Sequence, residues 1–219
     1  MTDVFKQTES VVLVCFGVLL ITSFASINYT GFASPQDETS ITSDSLDSIP
    51  QNNTRIVLVH GAVSDGSVWN KVISILTDAG HRIIAVQLPL HSLGDDIATV
   101  ERAIELIGGP AILVGHSYGG EVITNAGYNN PNVTGLVYVA AFAPEEGESL
   151  TTFVSPKDFP EGFLMLDSAG LAYIKPAMFH DRFAQDVDPT EAHVMAVAQK
   201  PFNASTFAEK SGPPAWKQH

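Results

Sequence analysis

The chain has 219 residues, of which 45% are hydrophobic and 16% charged, a composition typical of one folded α/β domain. Its 24 acidic and 11 basic residues give a formal net charge of −13, which argues against nucleic acid or an anionic membrane surface as a partner. The one cysteine, Cys15, excludes an intramolecular disulfide.

The N-terminal segment, residues 1–33, has the pattern of a secretory leader. Val11–Phe24 is an uninterrupted run of apolar and small residues behind a lysine. The run is shorter than the about twenty residues that a spanning helix needs, so we expect a secreted or extracytoplasmic protein, cleaved after Ala25 or Ala33. Two acidic residues ahead of the run weaken the leader pattern, and an uncleaved membrane anchor therefore stays open as the alternative.

The rest of the chain divides into three predicted parts. Residues 34–54, rich in Ser, Asp, Asn and Thr, are expected to form a flexible linker. Residues 55–144 alternate between apolar runs and helical patterns and are expected to form the folded core. Residues 145–219 consist of short apolar patches broken by prolines and form the third part.

Strands and helices alternate along the core. The predicted order is strand Ile56–Val59, helix Trp69–Ala79, strand Ile83–Gln87, helix Leu93–Ile107, strand Ala111–Val114, helix Glu121–Tyr128 and strand Gly135–Val139. The strand segments are apolar throughout, which favours a mostly parallel, doubly wound α/β sheet covered on both faces. A ligand should then bind at the carboxyl ends of the strands.

The pentad Gly115-His116-Ser117-Tyr118-Gly119 follows the third predicted strand and precedes a helical segment. Small residues on both sides of a serine allow a sharp strand-to-helix turn that exposes the hydroxyl above the sheet. The pattern therefore predicts that Ser117 is a catalytic nucleophile that attacks a carbonyl. A glycine-serine turn without chemistry is the alternative.

The first predicted strand ends in His60-Gly61-Ala62. A glycine at this point lets the backbone turn sharply, so that the following amide can point into the site. The backbone N–H groups of Ala62 and Tyr118 are the predicted oxyanion-hole donors. His60, Gly61 and His116 are predicted to border the substrate, and the His60 ring is expected to support the loop by a hydrogen bond rather than act in catalysis.

Five segments together resemble the α/β-hydrolase superfamily: Ile56–Trp69, Ala79–Arg82, Gln87–Pro89, the serine pentad and Val137–Phe142. Within it, the chain is similar to the small single-domain esterases akin to plant methyl esterases and hydroxynitrile lyases. The resemblance covers residues 55–150 well and the remainder more loosely. It implies the α/β-hydrolase fold with a lid over the serine.

The resemblance assigns residues 145–219 to a helical lid. Helical stretches are expected over Ala172–Ala184 and Thr190–Gln199. In the family this insertion supplies most of the substrate pocket, and the candidate lining residues are Phe153, Phe163, Leu164, Met165, Phe179 and Phe183.

The family's chain order places a catalytic acid and then a histidine after the serine, beyond two further strands. No segment after Leu150 has the pattern of a buried strand ending in aspartate. We therefore expect a truncated sequence, a sheet lacking its last two strands and an apolar edge prone to association. The alternatives within the sequence are an acid at Glu145 or Glu146 and the later histidines His180, His193 and His219.

The sequence thus predicts a serine hydrolase that cleaves a small-molecule carboxylic ester through an acyl-enzyme at Ser117. A non-catalytic small-molecule binder and an inactive truncated paralogue or fragment are the alternatives, and a carbon–carbon lyase is open within the enzyme class. No cofactor or metal is expected, because the sequence contains no His-x-x-x-His pair and no glycine-rich dinucleotide fingerprint.

Overall fold

The computed structural model describes residues 54–219. The predicted leader, 1–33, and the linker up to residue 53 lie outside these residues. Within 54–219, no helix has the length and apolarity needed to cross a membrane.

A parallel sheet forms the centre of the described core. Its strands are β1 (Arg55–Val59), β2 (Arg82–Ala85), β3 (Ala111–His116) and β4 (Val133–Val139), in the spatial order β2-β1-β3-β4. Val57 pairs with Ile84 on one side and with Leu113 on the other. The carboxyl ends of β1 and β3 therefore lie side by side, as predicted for the site.

Helices cover both faces of the sheet. Helix α1 (Asn70–Asp78) contributes apolar side chains to the cluster around Ile56 and Leu58, whereas α2 (Leu93–Ile107) and α3 (Tyr118–Ala126) pack on the face of Val57 and Val59. A short 3-10 helix, Gly66–Trp69, precedes α1. The doubly wound α/β fold is thus confirmed.

The segment predicted to be a helical lid, residues 145–219, is not purely helical, and we keep the name lid for it. It contains α4 (Leu150–Phe153), α5 (Pro176–Phe183) and α6 (Pro189–Ala198), together with an antiparallel sheet of β5 (Leu164–Leu166), β6 (Leu171–Ile174) and β7 (Phe202–Asn203).

The predicted helix from Ala172 to Ala184 was wrong over its first residues. Ala172–Ile174 is strand, and the helix begins at Pro176. Proline is accommodated in the first turn of a helix, and it restrains the preceding residue to extended conformations. Lys175 has φ −57° and ψ 120°, which ends the strand and starts the helix at that point.

Strand β4 forms one border of the parallel sheet. Among the residues that the structure describes, no strand pairs with its outer edge. The side chains of Val137 and Val139 are 45% and 37% exposed, respectively. The predicted apolar edge is therefore present in the described part of the chain.

Candidate active site

Ser117 lies in the turn between β3 and α3. Its backbone has φ 53° and ψ −123°, a conformation that is strained for a residue with a side chain. Its carbonyl oxygen accepts hydrogen bonds from the N–H groups of Gly120 (3.0 Å) and Phe142 (3.1 Å). This turn holds the serine at the carboxyl end of the sheet, the geometry that the pentad predicts.

The glycines around the serine are required by close packing. A side chain at position 119 would place its Cβ 2.6 Å from the carbonyl oxygen of Val59, and one at position 115 would place it 2.5 Å from the carbonyl oxygen of Gly119. Because no Cβ tolerates such distances to backbone atoms, glycine at position 119 is needed for α3 to approach β1 this closely, and glycine at position 115 for α3 to approach β3.

The loop after β1 lies directly against the serine. A Cβ at Gly61 would lie 2.9 Å from the Cβ of Ser117. Within residues 54–219, the backbone N–H groups of Ala62 and Tyr118 have no hydrogen-bond acceptor. Tyr118 is the first residue of α3, where the helix dipole adds partial positive charge. Both groups therefore lack an internal acceptor, as the predicted oxyanion-hole donors require.

The His60 side chain holds this loop in place by two hydrogen bonds. Its Nε2 accepts a hydrogen bond from the N–H of Leu88 (3.0 Å), which leaves the proton on Nδ1, and Nδ1 donates to the carbonyl oxygen of Gly61 (2.8 Å). The ring is fully buried, and burial lowers its pKa to about 4, so it is neutral at physiological pH. Both ring nitrogens are occupied, so the ring supports the loop and has no polar atom left for a substrate.

His116 lies beside the same loop. Its ring meets the indole of Trp69 edge-on at 6.4 Å between centroids, and its Nδ1 is 3.3 Å from the position of a Cβ at Gly61. Burial lowers the pKa of His116. The neutral ring thus packs against Trp69 and the Gly61 backbone, next to the serine.

No base contacts the serine within the described range, residues 54–219. The Ser117 hydroxyl has no hydrogen-bond partner there. His180 bonds to the carbonyl oxygen of Val187 at 3.1 Å, and His193 and His219 are exposed. Of the two candidate acids, Glu145 pairs with Lys217 and Glu146 is exposed.

The structure adds a buried pair that the sequence analysis missed. The Tyr118 hydroxyl donates to Oδ2 of Asp96 at 2.6 Å, and Oδ1 of Asp96 accepts the N–H of Leu90 at 2.8 Å. Asp96 and Tyr118 are both fully buried, and burial raises the pKa of each. Asp96 lies on the apolar stripe of α2 with Leu93 and Val100, and an acid on such a stripe was the signal available in the sequence.

A cavity of about 450 Å³ lies in the lid. Phe163 and Leu164, two of the predicted lining residues, contribute to its wall. The other lining residues are Thr151, Val154, Ser155, Phe159, Pro160, Glu161, Gly162, Leu166, Ala204, Phe207 and Ala208. Within 54–219, no group of three His, Cys, Asp or Glu side chains is arranged to hold a metal ion.

Sequence relatives are esterases and hydrolases. The chain is 37% identical over 117 residues to a carbendazim hydrolyzing esterase of Nocardioides sp. (strain SG-4G), a match covering 48% of each chain. It is 27% identical over 176 residues to a pyrethroid hydrolase of Sphingobium wenxiniae, covering 68% of this chain and 63% of the relative. The chain thus spans about half to two thirds of the length of these curated relatives.

Structural comparison gives the same fold. An extracellular alpha/beta-hydrolase from a Paenibacillus species superposes with a TM-score of 0.65 at 22% identity, covering 76% of this chain and 74% of that one. The sequence pattern of the alpha/beta hydrolase family matches residues 56–218, which is most of the sequence. The chain therefore belongs to the alpha/beta hydrolase family.

Proposed function

We propose that this chain carries the nucleophile and the oxyanion hole of a serine hydrolase that cleaves a small-molecule carboxylic ester. The proposal rests on one observation: Ser117 occupies a strained strand-to-helix turn, and the N–H groups of Ala62 and Tyr118 in the adjoining backbone have no acceptor among residues 54–219. The names of the relatives, a carbendazim hydrolyzing esterase and a pyrethroid hydrolase, support the reaction class.

In the proposed reaction, Oγ of Ser117 attacks the ester carbonyl carbon and loses its proton to a general base. The carbonyl electron pair moves to oxygen, and the N–H groups of Ala62 and Tyr118 stabilise the oxyanion. When the tetrahedral intermediate collapses, the ester C–O bond breaks, and the alcohol leaves with the proton that the base returns. Water then releases the acid from the acyl-enzyme by the same steps and regenerates the serine.

The base is the part of this mechanism that residues 54–219 do not provide at Ser117. All seven histidines of the sequence lie within 54–219. The proposal therefore requires a base that this sequence does not contain, in line with the expectation of a truncated sequence. Each oxyanion-hole donor contributes a factor of about 10²–10³ to the rate, so the described residues would supply a substantial part of the catalysis.

A neutral substrate is favoured. The formal net charge of −13 disfavours strongly anionic substrates. The lid cavity is lined mostly by apolar and aromatic side chains, with Glu161 as its one ionisable lining residue. Ser117 and the two oxyanion-hole donors are not among its lining residues, so the preference for a neutral substrate rests on the net charge.

The test uses the protein made from its complete gene in its native cells, so that whatever segment or partner supplies the base is present. It compares Ser117→Ala with Ser74→Ala, which removes an exposed hydroxyl on α1. We expect the wild-type protein and Ser74→Ala to hydrolyse short p-nitrophenyl esters and to be labelled by a fluorophosphonate at one site, and Ser117→Ala to do neither. Hydrolysis that survives in Ser117→Ala would rule out the proposed nucleophile.

Non-catalytic small-molecule binding is the second candidate, favoured by the lid cavity of about 450 Å³. A binder retains affinity for an apolar ester or acid while its serine stays unreactive. The fluorophosphonate separates the two functions, because a serine without an activating base should not react.

A further inference from the structure

Buried hydrogen bonds connect the two arms of the proposed oxyanion hole through one loop. On the first arm, His60 bonds to the N–H of Leu88; on the second, Asp96 bonds to the N–H of Leu90 and to the hydroxyl of Tyr118. Only Pro89 separates the two loop residues in sequence. The loop that contains Leu88 and Leu90 therefore supports both backbone segments next to Ser117, the turn at Gly61 and the start of α3.

We propose that Asp96 is a positioning residue for the reaction: by holding the phenol of Tyr118, it directs the backbone N–H of Tyr118 at the oxyanion. This inference rests on the proposed function. The N–H of Tyr118 has no acceptor of its own within residues 54–219. It belongs to the planar peptide whose other polar group, the carbonyl of Ser117, accepts hydrogen bonds from Gly120 (3.0 Å) and Phe142 (3.1 Å). These bonds hold the peptide on the Ser117 side, and the side chain of Tyr118 holds it on the α3 side.

The Tyr118 side chain is suited to this task. It is completely buried, its hydroxyl is 2.6 Å from Oδ2 of Asp96, and its ring packs edge-on against Phe202 at 5.4 Å between centroids. A buried ring held at its edge and at its hydroxyl cannot rotate without breaking a charge-assisted hydrogen bond or opening a void. A fixed ring in turn restrains the first residue of α3.

Asp96 is itself held at both oxygens. Its second oxygen accepts the N–H of Leu90, a residue at φ 62° whose carbonyl oxygen accepts the N–H of Asn203 (2.9 Å). Lys200 donates to the carbonyl oxygen of Leu88 from the lid side. The lid, the loop and α2 thus converge on the carboxylate that holds Tyr118.

The first experiment measures the rate of fluorophosphonate labelling of the protein made from its complete gene in its native cells, in which the base is present. The test variant is Tyr118→Phe, which keeps the ring and removes the hydroxyl. The control is Tyr138→Phe, because the Tyr138 hydroxyl bonds to Thr124 on α3 at 2.8 Å but does not touch Asp96. We expect Tyr118→Phe to lower the maximal labelling rate about tenfold, with an unchanged half-saturating reagent concentration, and Tyr138→Phe to match the wild type.

The second experiment does not depend on reactivity. Residual dipolar couplings report the direction of the Tyr118 N–H bond in wild type, Asp96→Asn and Asp95→Asn, the last being an exposed neighbour on α2. We expect Asp96→Asn to change this coupling, because an amide offers one acceptor where the carboxylate offers two, and Asp95→Asn to leave it unchanged.

The outcomes separate the inference from the proposed function. An unlabelled wild type would overturn the function, and the dipolar couplings alone would then decide whether Asp96 directs this N–H. A labelled wild type with equal rates for Tyr118→Phe, or an unchanged coupling in Asp96→Asn, would overturn the positioning role and leave the hydrolase proposal intact.

Discussion

The hydroxyl of Ser211 donates a hydrogen bond of 3.0 Å to Oε1 of Glu121, a fully buried acid one helical turn after Ser117. Ser211 also accepts from the side-chain amide of Asn125 (3.2 Å). Within residues 54–219, Oε2 of Glu121 has no hydrogen-bond partner. Burial raises the pKa of Glu121 to about 7, so this carboxyl is mostly protonated in mildly acidic solution.

The raised pKa predicts a stability that falls as the pH rises. The folded state favours the protonated acid, whereas the unfolded chain ionises it near the ordinary pKa of 4.5. The free energy of unfolding is therefore highest below a pH of about 4.5. It falls by about 3 kcal/mol as the pH rises from there to about 7. Urea unfolding from about pH 5 to pH 8 measures it.

The comparison variant for this prediction is Glu121→Gln, which stays neutral. Relative to wild type, we expect its free energy of unfolding to improve by about 2.5 kcal/mol as the pH rises over that range, the remainder being lost below pH 5. Glu101→Gln, on the exposed side of α2, should follow the wild type. A Glu121→Gln profile parallel to that of the wild type would show that Glu121 is not the titrating group.

Close packing of α3 on β1 predicts opposite effects for two glycine-to-alanine changes. Gly119→Ala places a Cβ 2.6 Å and 2.7 Å from the carbonyl oxygens of Val59 and His60. Overpacking against backbone should cost about 3 kcal/mol. Gly94→Ala, in the first turn of α2, meets no atom within 4 Å and should stabilise by about 0.5 kcal/mol.

Chemical denaturation of both variants measures these effects. The contrast removes helix propensity as an explanation, because alanine is favoured over glycine in either helix. Equal stability of Gly119→Ala and wild type would mean that β1 and α3 separate easily, and the position of the Gly61 loop against Ser117 would then lose its support.

Local signals determined which parts of the fold could be predicted. Helix α2 has the predicted bounds, because Ser92 caps its N-terminus and Gly108, at φ 73°, ends it. Helix α3 begins at Tyr118 rather than at Glu121, because it starts immediately after the serine turn. The short lid strands were missed, since strands of two to four residues form through pairing with one another and carry little pattern of their own.

The site could be predicted only where its parts lie close together in the sequence. The serine turn and the Gly61 loop are local motifs, and the structure places them in contact. The Asp96–Tyr118 bond joins residues 22 positions apart, and the Ser211–Glu121 bond joins residues 90 apart. Such pairs depend on tertiary packing, and single-sequence patterns show at most an acid on an apolar stripe.

For a protein that consists of these 219 residues alone, the exposed edge of β4 predicts self-association. Val137 is 45% exposed on a strand whose outer edge is unpaired within residues 54–219. Edge strands with apolar side chains pair with other chains, and a lysine on the edge opposes this pairing. We expect Val137→Lys to lower the concentration-dependent rise in apparent mass in sedimentation velocity.

Val197→Lys is the control for this prediction. Val197 is 72% exposed on α6 of the lid, so its replacement adds the same charge away from the sheet edge. We expect it to associate as the wild type does. If both variants reduce association equally, net charge and not the β4 edge governs the effect.

The backbone of Ser117 predicts a conflict between stability and function. At φ 53° and ψ −123°, a residue with a Cβ stores strain of about 1–3 kcal/mol, which glycine does not. Part of that gain is offset because glycine has more freedom in the unfolded chain, so Ser117→Gly should stabilise by about 1 kcal/mol. Ser117→Ala removes the same hydroxyl but keeps the Cβ, and its stability should stay near that of the wild type. Urea unfolding of the two variants separates strain from the loss of the hydroxyl: equal stability would show that the turn is relaxed, whereas a more stable glycine variant would mean that the fold tolerates a strained backbone in order to present this serine.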